Sequence, residues 1–221
     1  VTRLLVGTAV AVAALALIMV AIRLVGGWSA PSAAVAILDL GTCPQPCWFG
    51  IQPGKTTFRQ ALAIFEANHA QIVLPSSYIY ANTIRFTLDT GWSGWIKTST
   101  DEGGTLLNLD MSIQYLVLQP PANSLRLGDA VTLFGEPLVS TLCPSTRINP
   151  SSGKFYPLYE GSLFFQGNIG VATISDESRF DPQMPVEKIA YIYPADEPPY
   201  RFDTPPWRGF ARVDDREFCS Q

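Results

Sequence analysis

The stretch Leu107-Asn108-Leu109-Asp110-Met111-Ser112-Ile113-Gln114-Tyr115-Leu116-Val117 alternates apolar and polar side chains. Successive side chains of a strand point to opposite faces. Leu107, Leu109, Met111, Ile113, Tyr115 and Val117 are therefore expected on one face, and Asn108, Asp110, Ser112 and Gln114 on the other. One face is then buried and the other wet, as in an antiparallel sheet. Gln119-Pro120-Pro121 ends the strand. Upstream, Ile84, Phe86 and Leu88 alternate with Arg85 and Thr87. The turn Asp89-Thr90-Gly91 leads to Trp92 and Trp95, and Asp101-Glu102-Gly103-Gly104 reads as a loop. Downstream, strands are expected at Val139–Leu142, Ser162–Gln166, Ile169–Ser175 and Val186–Tyr193.

Two helices precede these strand groups. Thr57-x-x-Gln60 fits a capping box, and Phe58, Ala61, Leu62 and Phe65 then form one apolar face up to Asn68. A second helix follows Ser124 through Leu127, Ala130, Val131 and Phe134, and stops at Gly135 and Pro137. Ala61 aligns with Ala130, Ile64 with Leu133 and Phe65 with Phe134, each 69 residues apart. The fold class is α+β: two weak helix-plus-antiparallel-sheet repeats, about 50–119 and 123–193, with a tail over 194–221.

Leu4 to Ile22 contains no charged residue, and as a helix it would span roughly 28 Å, close to the apolar thickness of a bilayer. Residues 1–25 therefore read as a transmembrane signal anchor, with a cleaved signal peptide as the alternative, and residues 26–41 as a linker. Four cysteines, Cys43, Cys47, Cys143 and Cys219, lie beyond this export signal, which favours disulfides in an oxidising compartment. Of three pairings, Cys43–Cys47 and Cys143–Cys219 are favoured. The first closes a small ring, and the second staples the tail to the domain 42–221. The expected location is the cell membrane, single-pass, with the C-terminal domain outside the cytoplasm.

Around the first pair runs Cys43-Pro44-Gln45-Pro46-Cys47-Trp48-Phe49-Gly50-Ile51-Gln52-Pro53-Gly54-Lys55-Thr56-Thr57. Trp48 and Phe49 are expected to pack as core or collar aromatics. A phosphate-binding loop is rejected, because Gly50 and Gly54 enclose three residues rather than the four the motif needs. The string resembles that of bacterial membrane-anchored extracytoplasmic proteins. With Leu127-Gly128-Asp129-Ala130 and Phe134-Gly135-Glu136-Pro137, the helix openings and ends are similar to the tandem fold of β-lactamase-inhibitor proteins and BamE/SmpA-type lipoproteins. That resemblance implies helices packed on an antiparallel sheet and a role in binding proteins rather than in catalysis. The lipobox cysteine of the lipoproteins is missing here, and no inhibitory residue can be carried over.

A net charge of -4 with no basic run argues against a nucleic-acid partner. The expected function is a non-catalytic, membrane-anchored binding or scaffold module with a protein partner and no cofactor or metal. Trp92, Trp95, Tyr78, Tyr80 and Trp207 are its candidate contact residues. An extracytoplasmic hydrolase is one alternative. It would need the single histidine, His69, or paired carboxylates from Asp101, Glu102, Asp110, Asp176 and Glu177. A thiol redox sensor using Cys43 and Cys47 is another. Its spacing is Cys-x-x-x-Cys with two prolines, where redox pairs are usually Cys-x-x-Cys.

Overall fold

The computed structural model describes residues 14–15, 17–18, 33–38, 46–73, 83–98, 109–148, 153–193 and 206–210. The chain divides into two compact units, Val1–Ser32 and Ala33–Gln221. In the first, residues 14–15 and 17–18 are helical, and Leu15, Leu17 and Ile18 are exposed. The rest of the run Leu4–Ile22 lies outside the described residues. Among the described residues, no helix is long and apolar enough to cross a membrane.

The second unit is mostly antiparallel sheet with few helices. Its helices are α1 (Ala33–Leu38), α2 (Phe58–Ala67) and α3 (Leu127–Phe134). Its strands are β1 (Gln71–Val73), β2 (Thr83–Thr87), β3 (Ser93–Thr98), β4 (Ile113–Gln119), β5 (Val139–Ile148), β6 (Phe155–Phe165), β7 (Ile169–Ser175) and β8 (Val186–Ile192). They form one sheet in the order β1-β2-β3-β4-β8-β7-β6-β5, with every pairing antiparallel. Each half is thus a helix followed by a four-strand meander, and the halves join through their last strands. α1 corrects the linker expected over 26–41: Ala34 and Leu38 are buried in the core.

The starts of α2 and α3 are built alike. In α2, the Phe58 and Arg59 N–H groups donate to the carbonyls of Met111 and Leu109, at 2.9 and 2.8 Å. In α3, Leu127 and Gly128, each 69 residues on, donate to Met184 and Pro182, at 2.8 and 2.9 Å. Ile113 N–H returns a bond to Thr56, and Val186 N–H to Leu125. Donors that a helix leaves unpaired in its first turn are thereby satisfied by the segment entering the last strand of the same half. The expected capping box closes α2, with Thr57 Oγ1 accepting from Gln60 N–H and Gln60 Oε1 from Thr57 N–H. In α3 the carboxylate of Asp129 accepts from Arg126 N–H at 3.1 Å. The Arg126 guanidinium has no acceptor with which to return it.

The last strands also match. Opposite Lys97 and Thr98 stand Tyr115 and Ile113, which leaves Gln114 as an extra residue. Opposite Ala172 and Thr173 stand Lys188 and Val186, which leaves Glu187, 73 positions later, as its counterpart. Thr98 and Thr173 face these bulges and are buried at 2% and 1% exposure. A bulge shifts the side-chain alternation by one. It therefore corrects the single face expected for Leu107–Val117. Ile113, Leu116 and Leu118 are fully buried, whereas Tyr115 is 37% exposed on the opposite face. Leu109 and Met111 belong to the turn before β4, whose carbonyls serve α2.

The core fills the space between the helices and one face of the sheet. Phe65 of α2 stacks on Phe86 of β2 with centroids 4.3 Å apart, and Phe134 of α3 meets Phe165 of β6 at 5.6 Å. Trp48 is 1% exposed and stacks on Phe86 at 5.7 Å, so the expected core role of Trp48 is observed. Trp48 and Ile51 bond each other across Phe49 (φ 51°) and Gly50 (φ 83°). Both central residues of this tight turn have positive φ, which Gly accepts readily and Phe does not.

Candidate binding face

The register of the pairings sorts every strand side chain to one face or the other. Phe86, Gly94, Leu118, Ile189, Val171 and Leu163 line one row towards the helices. The neighbouring row lies on the other, helix-free face, where no described helix packs, and runs Trp95, Val117, Ala190, Gly170 and Phe164. A Cβ on Gly170 would lie 3.4 Å from the Phe164 ring, so that ring lies across the glycine towards Ala190. Val117 (5% exposed) is buried without belonging to the helix-side core, as is Leu158 (4%). Val117 pairs directly with Ala190, its own counterpart 73 residues later. An approximate twofold axis between the halves therefore passes through the centre of this apolar strip. Tyr115 flanks it.

The second half adds an arm. β5 and β6 pair over ten residues from Val139–Phe164 to Ile148–Phe155, but β6 pairs with β7 only from Tyr159 onward. These strands are longer than the expected Val139–Leu142 and Ser162–Gln166. The arm bends over the helix-free face, as one ion pair demonstrates. β5 lies three strands from β8, roughly 14 Å at the usual spacing. Yet Arg147 of β5 holds Glu187 of β8 through two bonds, at 2.9 and 2.8 Å, with Glu160 at 3.7 Å. The bond to Glu187 raises the Arg147 pKa above its ordinary value, against the effect of burial. The bulge that flips β8 thus also presents the carboxylate that ties down the arm.

A groove of about 590 Å³ lies beside the arm's base, lined by Tyr159, Asp176, Glu177, Ser178, Arg179 and Phe210. Arg179 contacts Glu177 at 2.6 Å and Asp181 at 3.8 Å. Glu177 is thus engaged in an ion pair at the groove wall. Asp110, 76% exposed, pairs with Arg59 at 3.1 Å. His69 is exposed in a left-handed conformation (φ 55°) just past α2. Its N–H donates to Glu66, and that of Ala70 to Phe65, the pattern that closes a helix C-terminus. Asp101 and Glu102 lie outside the described residues. Among the described residues no group of three or more His, Cys, Asp or Glu side chains could hold a metal ion.

Of the candidate contact residues, Trp92 is corrected: at 1% exposure it is part of the core. Trp95 sits half-buried in the apolar strip. Trp207 packs between Phe180 and Phe210, at 5.3 and 5.4 Å, and its N–H donates to Leu138 beside the β5 edge. Tyr78 and Tyr80 lie outside the described residues. Cys47 and Cys143 are both disulfide-bonded. Cys43 and Cys219 lie outside the described residues. Tyr115, Phe164 and the arm escaped the sequence reading. For Phe164 the available signal was its alternation with Leu163 and Phe165. For the arm it was Phe155-Tyr156 beyond the run Pro-Ser-Ser-Gly. Searches against family models, curated proteins and solved structures return no match to this chain.

Proposed function

We propose that this chain is a non-catalytic binding or scaffold module, held at a membrane by its N-terminal helix with the folded part outside the cytoplasm. Its two halves are tandem repeats stapled by Cys43–Cys47 and Cys143–Cys219. Its contact surface is the helix-free face of the sheet. The observation that carries this reading is the strip of Trp95, Val117, Ala190 and Phe164, continuous over strands from both halves and bordered by Tyr115 and the arm. Among the described residues the helices of the second unit pack on the other face. On this one Val117 is already covered, while Trp95, Phe164 and Ala190 around it are half-buried and Tyr115 is exposed. Aromatic side chains at the centre of such a face supply large contact area at small entropic cost.

The test is site-specific photo-crosslinking in cells, with a benzophenone side chain at Tyr115 on this face or at Glu66 on the exposed side of α2. A discrete protein adduct is expected from position 115 and none from position 66. Equal adducts from both positions, or none from either, contradict the reading. Non-reducing peptide mapping of the same material reads the two disulfides independently.

A further inference from the structure

Phe155 is the most exposed large apolar side chain among the described residues, at 72%. It stands directly opposite Ile148, 56% exposed, at the far end of the β5–β6 pair, and the two side chains share one face of the arm. Tyr156, 43% exposed, pairs with Arg147 on the other face. Among the described residues no third strand reaches this part of the arm, because the β6–β7 pairing stops at Tyr159. An exposed apolar pair of this kind needs a partner to leave water.

The arm's own edges narrow the choice. Pro144 lies in β5 and Pro157 in β6. Each removes a backbone donor, as edge strands do when they resist pairing with a further strand. A partner that reads backbone hydrogen bonds is disfavoured, and one that accepts apolar side chains without them is favoured. A bilayer is such a partner. Only ten residues, Arg23 to Ser32, separate the apolar run from α1, a reach of at most about 35 Å when fully extended. If that run enters a bilayer, the start of α1 stays within that distance of its surface.

We propose that the end of the arm is a second membrane contact. Ile148 and Phe155, side by side on one face of the arm, enter the headgroup–acyl boundary. This inference rests on the reading of the N-terminal run as a membrane anchor.

The test uses the full chain in nanodiscs of phosphatidylcholine with a quarter phosphatidylglycerol, made with ordinary or brominated acyl chains. Brominated lipid quenches nearby tryptophan. Phe155→Trp is compared with the unaltered chain, so that the difference isolates position 155. Val73→Trp, on the exposed β1 strand, serves as the distant control. The fluorescence added by Phe155→Trp should fall at least two-fold in brominated discs, and that added by Val73→Trp should not change. Equal behaviour of the two overturns the proposal. So does a tryptophan at 155 that escapes lipid quenching while that position crosslinks to a protein in native membranes. Incorporation into discs reads the anchor separately. Should the chain fail to incorporate, its co-sedimentation with vesicles of the same lipids decides. Binding that Phe155→Asp weakens ten-fold or more supports the arm, and absence of binding overturns it.

Discussion

In the first half of the sheet the helix begins with Thr57 and Gln60, each capping the other. In the second, Arg126 stands in the place of Thr57, and only Asp129 reaches back. The backbone bonds behind these caps nevertheless recur, as do the bulge before each last strand, the buried threonine facing it and the Phe–Phe contact between helix and strand. The halves share what the backbone requires and differ where side chains are free to drift. Where the second half departs most, it gains something: a long arm in place of the β1–β2 edge, and Glu187 in place of Gln114 to hold it. The additions therefore all fall on the helix-free face.

The largest effect should come from the shared ring contacts. Phe86→Ala and Phe165→Ala each remove a buried ring from one half, and each should cost about 3–5 kcal/mol in urea unfolding. Two similar losses in a single transition support equivalent halves in one cooperative core. A large loss for one and less than about 1 kcal/mol for the other breaks the equivalence.

A smaller effect separates Tyr191 from Leu118, its counterpart in β4. The Tyr191 hydroxyl is buried without a hydrogen-bond partner among the described residues, and burial raises its pKa. Tyr191→Phe should therefore stabilise the fold by about 1 kcal/mol at neutral pH. In the unfolded chain the phenol ionises near pH 10, whereas in the fold it holds its proton to higher pH. Its contribution is thus fully present below about pH 10 and is lost as pH rises above that value. Denaturation curves at pH 8 and pH 11 check this, since the Phe variant should lose less stability between them than the parent. An equal loss would mean that the phenol reaches water.

Much of this was legible in the sequence, and the failures share a cause. The α2 cap and both helix faces depend on neighbours within a few positions, and both reappear in the structure. The alternation through Leu107–Val117 signalled a strand. Its sense reversed at Gln114 because a bulge is decided by the partner strand and leaves no local mark. The outer half of the arm, Pro144 to Ile148, is polar and carries a proline, so it resembles a loop until Arg147 is seen to reach Glu187. Ala33–Leu38 looked like a linker because a six-residue helix makes fewer than two turns and has little periodicity to read. The apolar strip was least accessible of all. Trp95, Val117, Ala190 and Phe164 come from four strands spread over 96 positions, and only the strand order makes them neighbours.

That strand order is the central claim, and cross-strand proton contacts in an NMR spectrum of the labelled protein test it most directly. Contacts between Val117 and Ala190, and between Leu118 and Ile189, are predicted, because β4 lies beside β8. Contacts from Val117 to residues of β5 instead would place the second meander the other way round. The twofold relation, the apolar strip and the face proposed for binding would then fall together.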